Sequence, residues 1–516
     1  EALPHVWQML MNNLQVAYCS QSACKAMMHI LSQCSAVPGL PIMDLHTMVV
    51  TLRESGGITL DSELLLLEGV CTAITSQCLT QTDAQQQLSA AIGIVMQPLC
   101  LSLTNHLNGS VSTPAVVADI SRMTTVVMNI RVDHNKQTIH PVISQFPQIQ
   151  PLLARAIECI GTENICEKTC RFYKYFIRYS TSTYAPKPPL GIDGSTHHSR
   201  GNDVIIHPNG FYIYLESMAS YLVQLFQVKQ YSAFIYCASI LMTEFGVVNK
   251  KMNKKSSSTS ISIGNQQSQS QAQSQSQSQL HDDSTIRQVN CILFNMLWSL
   301  DTCFFRFMHC ISDFENKPDL VEEYFYLLSR VLQYCPNEYY EYIFYKKPIT
   351  ITTITSSTTN MSVSDLEDNC VDAPRFVQHL QAALNGLNLR HKEAQKGIMS
   401  FIQKMINSTR SIYTSVVTGT GTNSNTNGNT SNNIGIDVKR PYLAARIKVI
   451  YSLVTQQLSL PLLDHIFSGL SASGASGSGS KSGSGSTIVP LDEDNGCILD
   501  LLWSLRLLLQ DTLFKV

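Results

Sequence analysis

Apolar residues recur at three- and four-residue intervals along almost the whole 516-residue chain, and this periodicity restricts the fold more than any other feature. In "SACKAMMHILSQC", Ala23, Ala26, Met27, Ile30, Leu31 and Cys34 fall on one helix face. The same spacing runs through "DSELLLLEGVCTAITSQ", "TPAVVADISRMTTVVMNI", "QIQPLLARAIECI", "DLVEEYFYLLSRVLQYCP" and "YLAARIKVIYSLV". Pro, Gly, Asn or Asp turns separate helical runs of roughly ten to twenty residues. No Asn-Gly hairpin lies between alternating runs, and "ITITTITSS", Ile349 to Ser357, is the one β-prone stretch. The pattern predicts an all-α protein. So many helices exceed what one bundle core can bury. The expectation is therefore a HEAT-repeat α-solenoid, a superhelix of antiparallel helix pairs running as a single array over 1–516.

Four low-complexity tracts interrupt the periodicity: 249–284, with "QSQSQAQSQSQSQ"; 349–369; 418–437, with "GTGTNSNTNGNT"; and 471–486, with "SASGASGSGSKSGSGS". They are too polar to bury a core and are expected as disordered loops between helices. Domain boundaries are the other reading. Loops are preferred because the helical pattern is the same on both sides of each tract.

Charge narrows the partners. Charged residues make up only 14% of the chain and the formal net charge is −2, so no global field draws nucleic acid or membrane. A charged ligand must meet a local patch. The 16 cysteines form no CxxC pair, and no His-x3-His set accompanies them, which argues against zinc. Scattered thiols within apolar runs point to a reducing compartment. No uninterrupted apolar run reaches about 18 residues, so no membrane span is expected. The chain starts at Glu1 without an initiator Met and reads as a piece of a longer protein.

The most distinctive patch is "EKTCRFYKYFIR", Glu167 to Arg178. On a helix, Ile165, Thr169, Phe172 and Phe176 form a seam, while Lys168, Arg171, Lys174 and Arg178 occupy a separate arc of about 120°. The nearby acids, Glu163 and Glu167, lie at the helix start, where the macrodipole favours them. Like charges at this spacing repel, and a ligand with many acceptor oxygens would relieve them. A phosphorylated or acidic peptide fits that description, since Arg grips phosphate bidentately and Lys acts as a point charge. An ordinary solvated face neutralised by an acidic neighbour is the plainer alternative. For a nucleic-acid backbone the footprint is thin.

Other constellations carry less. His197 and His198 near Asp203 in "STHHSRGND" read as a loop pair pointing apart, not a metal site. Cys166 and Cys170 share a helix face and read as buried structural thiols. In "FENKPDLVEEYF", Glu315, Asp319, Glu322 and Glu323 mark a helix start after Pro318. No Gly-rich phosphate loop and no nucleophile elbow occurs. No catalytic residue, cofactor or metal is assigned, and no enzymatic activity is expected.

Several segments in co-linear order resemble the transportin-SR branch of the importin-β (karyopherin-β) superfamily. They are "SACKAMMHILSQC", "ENICEKTCRFYKYFIRYS", "YSAFIYCASILMTEFG", "FENKPDLVEEYFYLLSRVLQYCP" and "LRHKEAQKGIMSFIQKMI", followed by "GCILDLLWSL", which is similar to the family's C-terminal region. The resemblance implies the C-terminal portion of a nuclear import receptor, a monomeric HEAT superhelix shuttling between cytoplasm and nucleus. Its implied partners are phosphorylated Arg/Ser-rich splicing-factor-type (RS-domain) cargo proteins, nucleoporins and RanGTP, which triggers release and binds mainly through N-terminal repeats outside this chain. Direct nucleic-acid binding is not implied. The family's cargo-binding arginine-rich helix corresponds to "EKTCRFYKYFIR", which makes Lys168, Arg171, Lys174 and Arg178 the implied cargo-binding residues. Two of these are Lys where the family has Arg, a change that is not conservative at a bidentate phosphate site. A generic helical-repeat scaffold, or an export receptor for other partners, is the alternative function.

Overall fold

A computed structural model describes residues 3–33, 41–79, 83–109, 112–130, 140–180, 212–258, 269–344, 373–418 and 450–454. The described residues form an all-α chain with no strand among them. They fall into two compact units, Glu1–Tyr214 and Leu215–Val516.

The first unit holds α1 (Leu3–Leu14), α2 (Ala17–Gln33), α3 (Ile42–Glu54), α4 (Leu60–Leu79), α5 (Ala84–Asn108), α6 (Thr113–Asn129), α7 (Val142–Cys159) and α8 (Glu163–Ser180). The periodicity is realised directly: Val116, Ile120, Met123 and Val127 of α6 are all fully buried. Successive helices reverse direction, so Ser102 and His106 near the end of α5 meet Asp119 early in α6. Alternate helices instead stack side by side, α2 on α4, α4 on α6 and α6 on α8, with α5 on α7 opposite. These neighbours run parallel. Cys24 lies near Ser62 while Leu31 lies against Gly69, and Gln145 faces Gly93 while Arg155 donates to the Leu107 carbonyl. At Gly69 an added Cβ would sit 2.8 Å from Leu31 Cδ1, so the missing side chain permits the close approach of α2 and α4.

α9 (Tyr212–Lys229) begins at the end of the first unit. The second contains α10 (Ser232–Ser258), α11 (Gln269–Phe307), α12 (Ile311–Asn316), α13 (Pro318–Tyr334), α14 (Pro336–Tyr342), α15 (Pro374–Gly386) and α16 (Lys392–Thr418). Pro318, Pro336 and Pro374 each open a helix, where the absent N–H costs nothing. α13 lies between α10 and α16, and all three run parallel. Ser239 and Gly246 of α10 meet Arg330 and Tyr334, while Gly397, Phe401 and Lys404 of α16 meet Glu322, Phe325 and Gln333. α15 turns back antiparallel onto α16, where Gly386 meets Ile398 and the Gln395 amide donates to the Leu387 and Leu389 carbonyls.

Two expectations change. The Gln/Ser tract at 249–284 is not a loop at either end: α10 runs to Ser258 and α11 starts at Gln269, with 259–268 outside the described residues. The reason is local. Gln is a good helix former, the stretch from Gln269 onward lacks Gly and Pro, and extending an existing helix is far easier than nucleating one. The tracts at 349–369, 419–437 and 471–486 lie outside the described residues. Second, Gln86–Asn108 within α5 is long and apolar enough, by length and composition, to cross a membrane. A core helix passes the same test; Leu88, Ile92, Val95, Leu99 and Leu103 of this one are buried, whereas Ile94 and Leu101 are exposed. The thiols are mostly interior, as expected: Cys166 and Cys170 are buried, while Cys159 and Cys310 are exposed.

Candidate functional site

Gly161, at φ +59°, ends α7 in a left-handed turn that favours glycine and lets the chain reverse into α8. α8 then packs against α6 and α7. Ile165, Thr169, Phe172 and Phe176 are all at 0% exposure, so the expected seam exists. It is wider than the sequence suggested, because Cys166, Cys170, Tyr173 and Ile177 are buried beside it. Phe176 stacks on Phe146 of α7, with ring centroids 4.2 Å apart and planes 8° from parallel. Phe172 lies parallel to Phe176 at 6.2 Å. Aromatic packing therefore fixes the rotation of α8 about its own axis, and with it the direction of the basic positions.

Those four positions are not equivalent. Arg171 is exposed, whereas Lys168, Lys174 and Arg178 are half-buried. The evenly exposed stripe expected from sequence is corrected to one exposed guanidinium flanked by cations whose stems lie along the protein surface. The Lys174 ammonium sits 5.3 Å from the Tyr175 ring centroid. Among the described residues, neither Lys168 nor Arg171 makes an ion pair. The two helices that pack on α8 offer little neutralisation. α6 has one acid, Asp119, fully buried and already bonded to Arg122 and His106, and α7 has one, Glu158, in its exposed last turn. A buried hydroxyl remains in the seam: Thr169 Oγ1 has no hydrogen-bond partner among the described residues.

Two buried polar clusters escaped the sequence reading. In the first unit, Arg122 bridges Glu63 Oε2 at 2.7 Å and Asp119 Oδ1 at 2.7 Å. Arg53 approaches Glu63 at 3.6 Å, while Ser102 donates to Asp119 and His106 Nδ1 lies 2.7 Å from it. Burial pushes the Glu63 carboxyl upward, and Arg122 and Arg53 pull it back. In the second unit, Asp301 of α11 is fully buried. It accepts from Tyr324 at 3.0 Å, from Tyr342 at 2.5 Å and from His379 Nε2 at 2.9 Å. Arg375 Nη1 lies 3.5 Å from Asp301 and its guanidinium stacks 3.3 Å from the Trp298 ring centroid. Burial, reinforced by Asp301, raises the Tyr324 and Tyr342 phenols well above the ordinary range, so both stay protonated as donors. Both clusters tie helices together from within. A signal for the second was present, since an Asp inside the apolar run "LWSLDTCFF" must find partners.

Asp319, Glu322 and His391 place one potential ligand atom each within 4.8 Å of one another. His391 Nδ1 accepts the Ala394 N–H, so the neutral ring carries its proton on Nε2, the nitrogen facing Asp319, and presents no lone pair there. The positive ends of α13 and α16 both lie here, as the expected helix start at Asp319 requires. His391 caps α16, and the trio is a poor cation cradle. His197, His198 and Asp203 lie outside the described residues.

No protein-family model and no curated protein matches the chain.

Proposed function

We propose that this chain is the C-terminal portion of a nuclear import receptor of the transportin-SR type, a HEAT-repeat superhelix that carries phosphorylated Arg/Ser-rich cargo and releases it on meeting RanGTP. The carrying observation is the outer face of α8, where Arg171 is exposed and Lys168 half-exposed, both without an ion-pair partner among the described residues. A rigid aromatic seam holds this face outward. Phosphoserine brings nearly two negative charges and three acceptor oxygens to such a face, while the arginines of an unmodified segment are repelled by it. The solenoid reading is supported by antiparallel helix pairs whose alternate members stack in parallel rows, as repeats in such arrays do.

The test is fluorescence anisotropy of the full chain with an RS-repeat peptide, phosphorylated or not, near physiological salt. The phosphopeptide is expected to bind and the unmodified peptide at least about tenfold more weakly, as loss of two charge-assisted contacts implies. Changing Lys168 and Arg171 to Ala, which disturbs no described ion pair, should remove most of that preference. Equal binding of the two peptides assigns the chain to the generic scaffold class instead.

A further inference from the structure

The parallel row α10–α13–α16 of the second unit carries two further cations, each tied to a neighbouring helix. Arg330 of α13 donates to Ser239 Oγ of α10 and lies 5.6 Å from the Tyr236 ring centroid. Lys404 of α16 donates to Gln333 Oε1 at 2.8 Å, and Gln333 follows Arg330 by three residues on the same face of α13. Both cations are half-buried, and neither makes an ion pair among the described residues. Each is held by a neutral acceptor, so its direction is fixed and its charge is not cancelled. Lys404 is also pushed below the ordinary lysine range by burial and by Arg330.

The acids of these helices do not neutralise the pair. On α13 they are Asp319, Glu322 and Glu323, and on α16 Glu393, all in the N-terminal turns and two or more turns from Arg330 and Lys404. Among the described residues, neither Arg330 nor Lys404 forms an ion pair with Glu244 of α10. Two like charges drawn into partial burial are costly unless an anion joins them. The donor set suits one anion class. A guanidinium and an ammonium held about one turn apart along α13 can together offer several donors to the oxygens of a tetrahedral dianion.

We infer that Arg330 and Lys404, anchored about one turn apart along α13, form a phosphoryl-binding position, filled by a phosphoserine side chain or by inorganic phosphate. The inference concerns different residues from α8 and stands whether or not α8 binds cargo.

The experiment labels the lysines of the full chain by reductive 13C-methylation and identifies the Lys404 signal by its disappearance in Lys404→Arg. Inorganic phosphate, or chloride at matched ionic strength, is titrated in, followed by a phosphoserine peptide and its unmodified counterpart. A saturable shift of the Lys404 signal with phosphate and not with chloride supports the site. The same shift with the phosphopeptide alone of the two peptides assigns a protein-borne phosphoryl as a source. Arg330→Gln should weaken the response about tenfold or more, and Lys168→Ala with Arg171→Ala should leave it unchanged. The inference is overturned if no saturable shift occurs up to tens of millimolar phosphate, or if Arg330→Gln responds as the parent does while its other lysine signals show an intact fold.

Discussion

Single buried residues carry much of what distinguishes this chain from a generic helical array. Asp301 holds Tyr324, Tyr342, His379 and Arg375 around one carboxylate, and Asp301→Ala would leave those donors unpaired in the core. A loss of about 3–5 kcal/mol is expected, read as an earlier urea midpoint through the fluorescence of Trp298, which stacks on Arg375. Thr169→Val should act oppositely. It keeps the side chain's shape in the α8 seam and removes an unpartnered hydroxyl, so about 1 kcal/mol of gain is expected without change in peptide binding. Lys404 gives a pH prediction. Its folded pKa lies below the ordinary 10.5, so between those values the unfolded chain binds more protons and stability rises with pH. Below both values the buried ammonium is a constant cost. Lys404→Met should therefore melt higher than the parent at neutral pH, with the gap closing toward pH 10.5 in thermal scans without added phosphate.

Among elements, close approach of backbones decides the rows. An added Cβ at Gly397 would sit 2.9 Å from the Glu322 carbonyl oxygen, and one at Gly246 would sit 2.6 Å from Tyr334 Cβ. Gly397→Ala must push α16 off α13, because the obstructing atom is backbone. It should cost about 1–3 kcal/mol despite alanine's better helix propensity, measured as a lower chemical-denaturation midpoint. In the sequence these glycines look like weak points in helical runs; only the neighbouring helix gives them their role. The seam of α8 was legible because its residues repeat at helical spacing. The unequal exposure of Lys168, Arg171, Lys174 and Arg178 was not, since it depends on what α6 and α7 place beside each side chain. The Gln/Ser tract shows the converse error: low complexity suggested a loop, whereas helix propensity and an adjoining packed segment extend α11 back to Gln269.

For the molecule as a whole, a net charge of −2 leaves no long-range field, so any anion binding must be local. Raising monovalent salt from about 50 to 300 mM shrinks the Debye length from about 14 to 6 Å. Phosphopeptide affinity measured by anisotropy should fall several-fold across that range in the parent, and by less once Lys168 and Arg171 are Ala. A salt dependence surviving that double change would locate the anion elsewhere, with Arg330 and Lys404 the next positions to alter.

The sequence by itself determined the all-α class, most helix starts, the buried seam of α8 and its basic character. All of these follow from residue spacing and propensity, which act within a few turns of chain. The tertiary structure alone decided which helices stack in parallel and which carboxylates become buried and paired. It also decided that Arg330 and Lys404, far apart in sequence, are held about one turn apart along α13. Those outcomes depend on the residues that meet across helix pairs, and no local pattern encodes a partner seventy residues away.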